Sequence, residues 1–354
     1  MWYVGLDVHL DTTVISVRNR VGTMTKRLVV ATTRAALKHA LLDMRGKVRI
    51  VCESGPMASW VRDTLETRFR EVVVCDRRRT RLTTSGIKTD RIDADRLSDL
   101  SHRQQFHTVH VPRGDAALLR RFALHYSRMK VERSRVIQRL RSLYFECGIR
   151  VKTARATPER VPLARLRAPG ARSVARAYLR QLETLTELTR EAREALVSLA
   201  QQSTDFGLLQ SIPYVGEIRA AELLAIAENP HRFHSVRAFW AYGGLGVVQR
   251  LSSEHRIENG RPIREDRARG IKLRVGQPIL KRVLRDVALH ASLGRGLFRA
   301  VFEAHVARGK APAIARIALA RKIAAIILAV WRSGTPYSEA IAISKSKPRD
   351  EHPA

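Results

Sequence analysis

The sequence predicts an α/β domain on a mixed sheet, then a long helical hairpin, then a mostly helical C-terminal region. Three observations carry that prediction. Short apolar runs rich in β-branched residues alternate with amphipathic stretches up to about residue 76. From about 115 to 205, apolar residues recur every three to four positions. Beyond 206, two helical patterns flank the tight segment Pro213-Tyr214-Val215-Gly216.

Taken in order, WYVGLDV (2–8) reads as a buried strand ending in an acid. VISVRN (14–19) and KRLVVA (26–31) continue it as a meander, with turn residues around Gly22. ATTRAALKHALLDM is helical, with a threonine to cap its start. VRIVCES (48–54) is a strand that again ends in an acid, and PMASWVRDTLETRF is a helix with proline near its first turn. EVVVCD (71–76) closes the set, which makes a mixed sheet with helices. The domain is expected to span 1–115.

Residues 116–205 form the expected spacer. ALLRRFALHYSRMKVERSRVIQRLRSLYFECG and VARAYLRQLETLTELTREAREALVSLAQQ carry helical spacing on either side of a basic break. They predict a helical hairpin or coiled coil. Residues 206–337 form the third unit. LLQSIPYVGEIRAAELLAIA has the shape of a helix-hairpin-helix, whose second helix can hold a phosphate on its first-turn N–H groups. The remainder to about 334 is expected to be mostly helical, and 338–354 a disordered tail.

The chain has 354 residues, 65 Lys+Arg against 33 Asp+Glu, a formal charge of +32, and 45% hydrophobic residues. It can therefore bury a core, and its charge asks for a polyanion, nucleic acid first. No run of eighteen apolar residues occurs and the N-terminus lacks a basic leader, so neither a membrane span nor a signal peptide is expected. Cys52, Cys75 and Cys147 match no zinc or disulfide spacing, and a reducing cytoplasm is the expected compartment.

Against that charge stands GIKTDRIDADRLSDL (86–100), with Asp90, Asp93, Asp95 and Asp99 close together. Asp90 and Asp93 share a helix face, while Asp7 and Glu53 end strands. Four converging carboxylates need a cation, and oxygen donors suit Mg²⁺ or Mn²⁺ working on a phosphodiester. The plainer reading is an exposed helix with salt bridges to Arg91 and Arg96. Asp11, Asp76, Asp95 and Asp99 are read as surface charges, with Asp95 a substitute ligand.

The ordered set GLDVHLD, CESGP and KTDRIDADRL resembles the DEDD (RuvC-like) domain of insertion sequence 110 transposases, a group that includes the Piv-type invertases. LLQSIPYVGEIRAAELLAIAENPHRFHSVRAFWAYGGLG resembles the opening of that family's C-terminal transposase domain. GQPILKRVLRDVALHAS and GKAPAIARIALARKIAAIILAVWRSGTPY resemble its close, so the likeness runs from about 3 to 337. It implies a RuvC-like RNase H fold, with Asp7, Glu53, Asp90 and Asp93 binding Mg²⁺. A serine nucleophile would attack the scissile phosphate, giving a transient phosphoserine link and strand exchange. A bridge RNA from the same element would guide the reaction, dimers would pair into tetramers, and the setting would be a bacterial, nucleoid-associated cytoplasm.

Where the family shows Gly-Leu-x-Pro and then Ser-Gly, this chain has Val247 for the proline and Glu254 after its serine pair. Ser253 fits best and Ser252 next. A metal or base would have to lower the serine's pKa, for example if the two domains meet over the DNA. Arg250, Arg256, Lys272, Arg274, Lys281 and Arg282 are candidate phosphate contacts. Two other readings are a metal-dependent junction nuclease using water, and an inactive nucleic-acid-binding homologue.

Overall fold

A computed structural model describes residues 1–76, 90–150, 161–258, 261–273 and 276–339. For Asp90, Arg91 and the two strands between 247 and 273, the backbone alone is described. The expected disordered tail, 338–354, lies almost wholly outside the described residues, and Arg274 lies outside them too. The chain divides into two compact units, Met1–Val111 and Pro112–Ala354.

The first unit is a five-stranded mixed sheet in the order β3-β2-β1-β4-β5. β1 (Trp2–Val8), β2 (Thr12–Arg18) and β3 (Met24–Ala31) form the expected antiparallel meander. β4 (Val48–Glu53) and β5 (Glu71–Cys75) run parallel to β1. Parallel neighbours need crossovers, and α1 (Arg34–Ala40) and α2 (Ala58–Leu65) supply them. Thr33 caps α1, its Oγ1 accepting from the Ala36 N–H at 3.2 Å. Val4, Leu6, Ile50 and Cys52 on one sheet face pack on Leu37, Leu41, Val61 and Leu65 of these helices.

The opposite face takes α3 (Asp90–Arg103). Here Val51 and Cys75 pack on Leu97. Gly5 is the point of closest approach. A Cβ there would be driven into the Ala94 carbonyl oxygen and the Ser98 nitrogen, and would lie 2.8 Å from the Leu97 Cβ. Only glycine lets the backbones come so near.

The second unit is mostly helical. α4 (Gly114–Glu146) and α5 (Ala171–Ala200) form the expected hairpin. They run antiparallel: Val136, Leu140 and Tyr144 cluster with Ala171, Ala175 and Leu179 at one end. At the other end Leu119, Ala123 and Tyr126 join Ala192, Leu196 and Ala200 in the main core. α6 (Asp205–Gln210) and α7 (Glu217–Ala227) flank the predicted turn. α7 is buried continuously from Ala220 to Ala227, because its alanines let helices close on it from several sides. α8 (Val236–Tyr242), α9 (Pro278–Leu293), α10 (Leu297–Ala307) and α11 (Pro312–Ser333) complete the unit. Among the described residues no helix is long and apolar enough to cross a membrane.

One element departs from the expected helical remainder. β6 (Val247–Glu258) and β7 (Arg261–Leu273) pair as an antiparallel ribbon. The pairing ends at Glu258 and Arg261, leaving Asn259-Gly260 between them. Asn-Gly is the pair that two-residue hairpins favour, since both central positions need positive φ. The ribbon's charged alternation hid that signal. Gly244 (φ 65°) before β6 and Gly276 after β7 cross backbone to backbone at the stem, and a Cβ on Gly276 would meet Gly244. The Gln277 N–H donates to the Tyr242 carbonyl at 2.8 Å, tying the two ends together.

Candidate active site

β1 and β4 pair with Leu6 beside Cys52. Continuing that register by one residue sets Asp7 beside Glu53. Glu53 in turn pairs with Cys75 of β5. Side chains alternate along a strand, so Asp7 follows Gly5 and Glu53 follows Val51, both on the α3 face.

The direction of α3 decides which end of the sheet its acids approach. His102 stacks edge-on against Tyr3, with ring centroids 5.1 Å apart. Ser98 Oγ lies 3.1 Å from Ser16 Oγ, on the strand residue paired with Gly5. The helix therefore runs antiparallel to β1: Tyr3 meets its last turn and Gly5 its middle. The first turn, with Asp90 and Asp93, points to the end of β1 that carries Asp7. Chain order alone could not reveal this, because it needs the α3–β1 crossing.

Asp7 is 17% exposed at its side chain and meets His9 Nε2 at 3.1 Å. Asp93 is partly exposed and faces Arg96 at 3.5 Å, the expected i,i+3 pair. Asp95 is committed elsewhere. Its carboxylate takes the Arg27 guanidinium through both oxygens, with Arg27 Nε at 3.1 Å, tying α3 to β3. Asp99 pairs with Arg103 at 2.9 Å. Among the described residues no three His, Cys, Asp or Glu side chains are grouped closely enough to hold a metal. Asp90, with only its backbone described, is outside that test. The donor set is all carboxylate, at the ends of two adjacent strands and the start of one helix, and oxygen donors of this kind suit a hard divalent cation in their chemistry.

Ser252 and Ser253 lie on β6, paired with Arg267 and Asp266 of β7. Strand alternation places Ser253, His255, Asp266 and Arg264 on one ribbon face. Ser252, Arg256 and Arg267 share the other. Arg250 sits where the register shifts, between Gln249 and Leu251, and Lys272 pairs with Val248.

Residues 4–146 match the family model DEDD_Tnp_IS110, a transposase, and residues 207–299 match that of the transposase IS116/IS110/IS902 family. The chain belongs to the IS110 family of transposases. Both matches fall in chain order, one on the mixed-sheet unit and α4, the other on α6 through α9 and the start of α10. No curated protein matches the chain. An IS110 transposase acts on DNA, which accounts for the +32 charge.

Lys281 and Arg282 of this transposase lie on α9. Arg282 is bound from beneath by Glu222 of α7, whose side chain is wholly buried, and reaches Asp286 at 3.8 Å. Burial holds the Glu222 carboxyl above the usual carboxylate range, with Arg282 pulling it back. Its Oε2 is buried without a hydrogen-bond partner among the described residues. Lys130 of α4 stands over the Tyr126 ring at 5.2 Å. Burial and then the Arg282 charge push its ammonium pKa down. Sequence reasoning missed Glu222 and Lys130, because their partnership joins α4, α7 and α9.

Proposed function

We propose that this chain cuts and rejoins DNA as a RuvC-like, metal-dependent recombinase of the insertion-element type, using Ser253 as nucleophile and an element-encoded RNA as guide. The observation that carries it is the placement of Asp7 and Glu53 on adjacent strand ends, with the Asp90–Asp93 turn of α3 directed to the same end. The sheet order β3-β2-β1-β4-β5 agrees with an RNase H-type domain.

Asp7, Glu53, Asp90 and Asp93 would hold Mg²⁺, or Mn²⁺ in its place. The bound ion would supply Lewis-acid stabilisation of charge on the phosphate and lower the pKa of an attacking hydroxyl. Ser253 is preferred to Ser252 because its ribbon face also carries His255 and Asp266. In the reaction Ser253 Oγ would bond to phosphorus and give its proton to a base, and the scissile P–O bond would break, its leaving oxygen taking up that proton to end the strand in a hydroxyl. A second strand's hydroxyl then attacks the phosphoserine, restores the diester and releases the serine. Arginines near the serine would offset added negative charge on the phosphate.

The test is to mix protein, divalent metal, end-containing DNA and the co-purified RNA, quench with detergent, and resolve protein by size. A covalent protein–DNA adduct is expected, absent in Ser253→Ala and in Asp7→Ala. Cleavage with no adduct would turn the reading to a hydrolytic junction nuclease. The chain would act as a dimer pairing into a tetramer, which size analysis with and without RNA would report.

A further inference from the structure

A groove of about 650 Å³ runs along α4 and is closed on one side by Arg282 of α9. Its polar lining includes Lys130, Arg135, Arg139 and Arg282 with Ser127 and Ser134, and none of the described lining residues is acidic. The α4 residues recur on successive turns, 127, 130, 134–135 and 138–139, so the row extends about 18 Å along one helix face. Val136 and Leu140, on the face of α4 opposite the groove, are spent on the core. Ser134, Arg135 and Arg139 of the lining are exposed and take no part in the core.

We infer that this groove is a phosphodiester-backbone site, sequence-independent, that seats a run of nucleic acid along α4. This rests on the recombinase reading above and adds to it a surface that reading does not use. Guanidinium, ammonium and hydroxyl donors are the groups that bind phosphate oxygens without reading bases. The site is prepared in advance. Glu222 fixes Arg282 from below, leaving the guanidinium at the groove wall rather than free to wander. Lys130 and Arg282 are held as like charges in one partly buried place, an arrangement that a phosphate between them relieves. Glu132, which pairs with Arg135 at 2.5 Å, competes with phosphate for only one of the four cations.

The backbone can come from DNA or from RNA, and two arms separate them. Full-length protein is titrated with a labelled 20-base-pair DNA duplex and a matching RNA duplex over a range of salt. Lys130→Gln with Arg139→Glu should weaken binding at least tenfold in one arm or both, and lower the salt slope by about two, one per lost phosphate contact. Ser134→Glu, at an exposed position, tests the groove without touching a buried group. Arg176→Glu with Arg180→Glu changes net charge on the exposed face of α5 and should leave the slope near wild type. Loss in the RNA arm alone assigns the groove to RNA, and loss in the DNA arm alone to DNA. Unchanged binding of both groove variants in both arms, or equal loss in the α5 control, overturns the inference. Wild-type protein that binds neither duplex would instead count against the recombinase reading, so the two failures are distinct.

Discussion

Gly5 of β1 and Ala94 of α3 touch backbone to backbone, with no room for a side chain between strand and helix. This contact sets where the acidic turn of α3 falls along β1. Gly5→Ala must push the helix off the sheet. It should cost about 1–3 kcal/mol, as overpacked cores do, read as a lower denaturant midpoint. Adduct formation should fall further than stability explains, because Asp90 and Asp93 move with the helix.

On the proposed reading the acids of α3 have separate tasks. Asp93→Asn should abolish metal-dependent cleavage. Asp95→Asn should spare it and cost about 0.2–1 kcal/mol by losing Arg27. Cleavage assays beside thermal melts check both. Loss of activity in Asp95→Asn with a normal melt would return Asp95 to the ligand set.

The strands of the first unit were legible because each is a short apolar run ended by turn residues, and Thr33 announced α1. The helices came out shorter than their patterns: α1 stops at Ala40 although Leu41 and Leu42 continue the periodicity. The ribbon was not legible as strand from its composition, since Arg, Glu and Ser crowd it and Asn259-Gly260 was the sole clear sign. The Asp7–Glu53 neighbourhood could be expected from two strand-end acids. The direction of α3 could not, nor could the grip of Glu222 on Arg282, sixty positions apart, which no local pattern encodes.

Arg282→Ala leaves the buried Glu222 charge without its partner. At neutral pH this should cost about 3–5 kcal/mol, measured by denaturant unfolding. Glu222→Gln in the same chain should recover most of it.

Glu222 also sets a pH dependence. Its folded-state pKa is raised above 4.5, so its contribution to stability is fully present below that value and is lost as pH rises through the higher folded value. Unfolding midpoints of wild type should therefore fall relative to Glu222→Gln as pH rises from about 4.5, the ordinary carboxyl value. A constant difference across that window would mean that the folded and unfolded carboxyls titrate alike, with no upward shift.

Cysteine labelling reads the sheet core. Burial, then the neighbouring Cys75, pushes the Cys52 thiol up to about 12, and Cys75 is buried as well. Native protein treated with iodoacetamide at pH 8 should be modified at Cys147 alone, by mass spectrometry, with all three labelled after denaturation.

The crossing of Gly244 and Gly276 makes the serine-bearing hairpin a cassette. Entry and exit share a single gate in the helical scaffold, so matched pairs of residues can be added or trimmed beyond it without disturbing the helices behind. In the proposed reaction, reach toward a bound duplex would then be set by strand length, while the scaffold that anchors it stays the same.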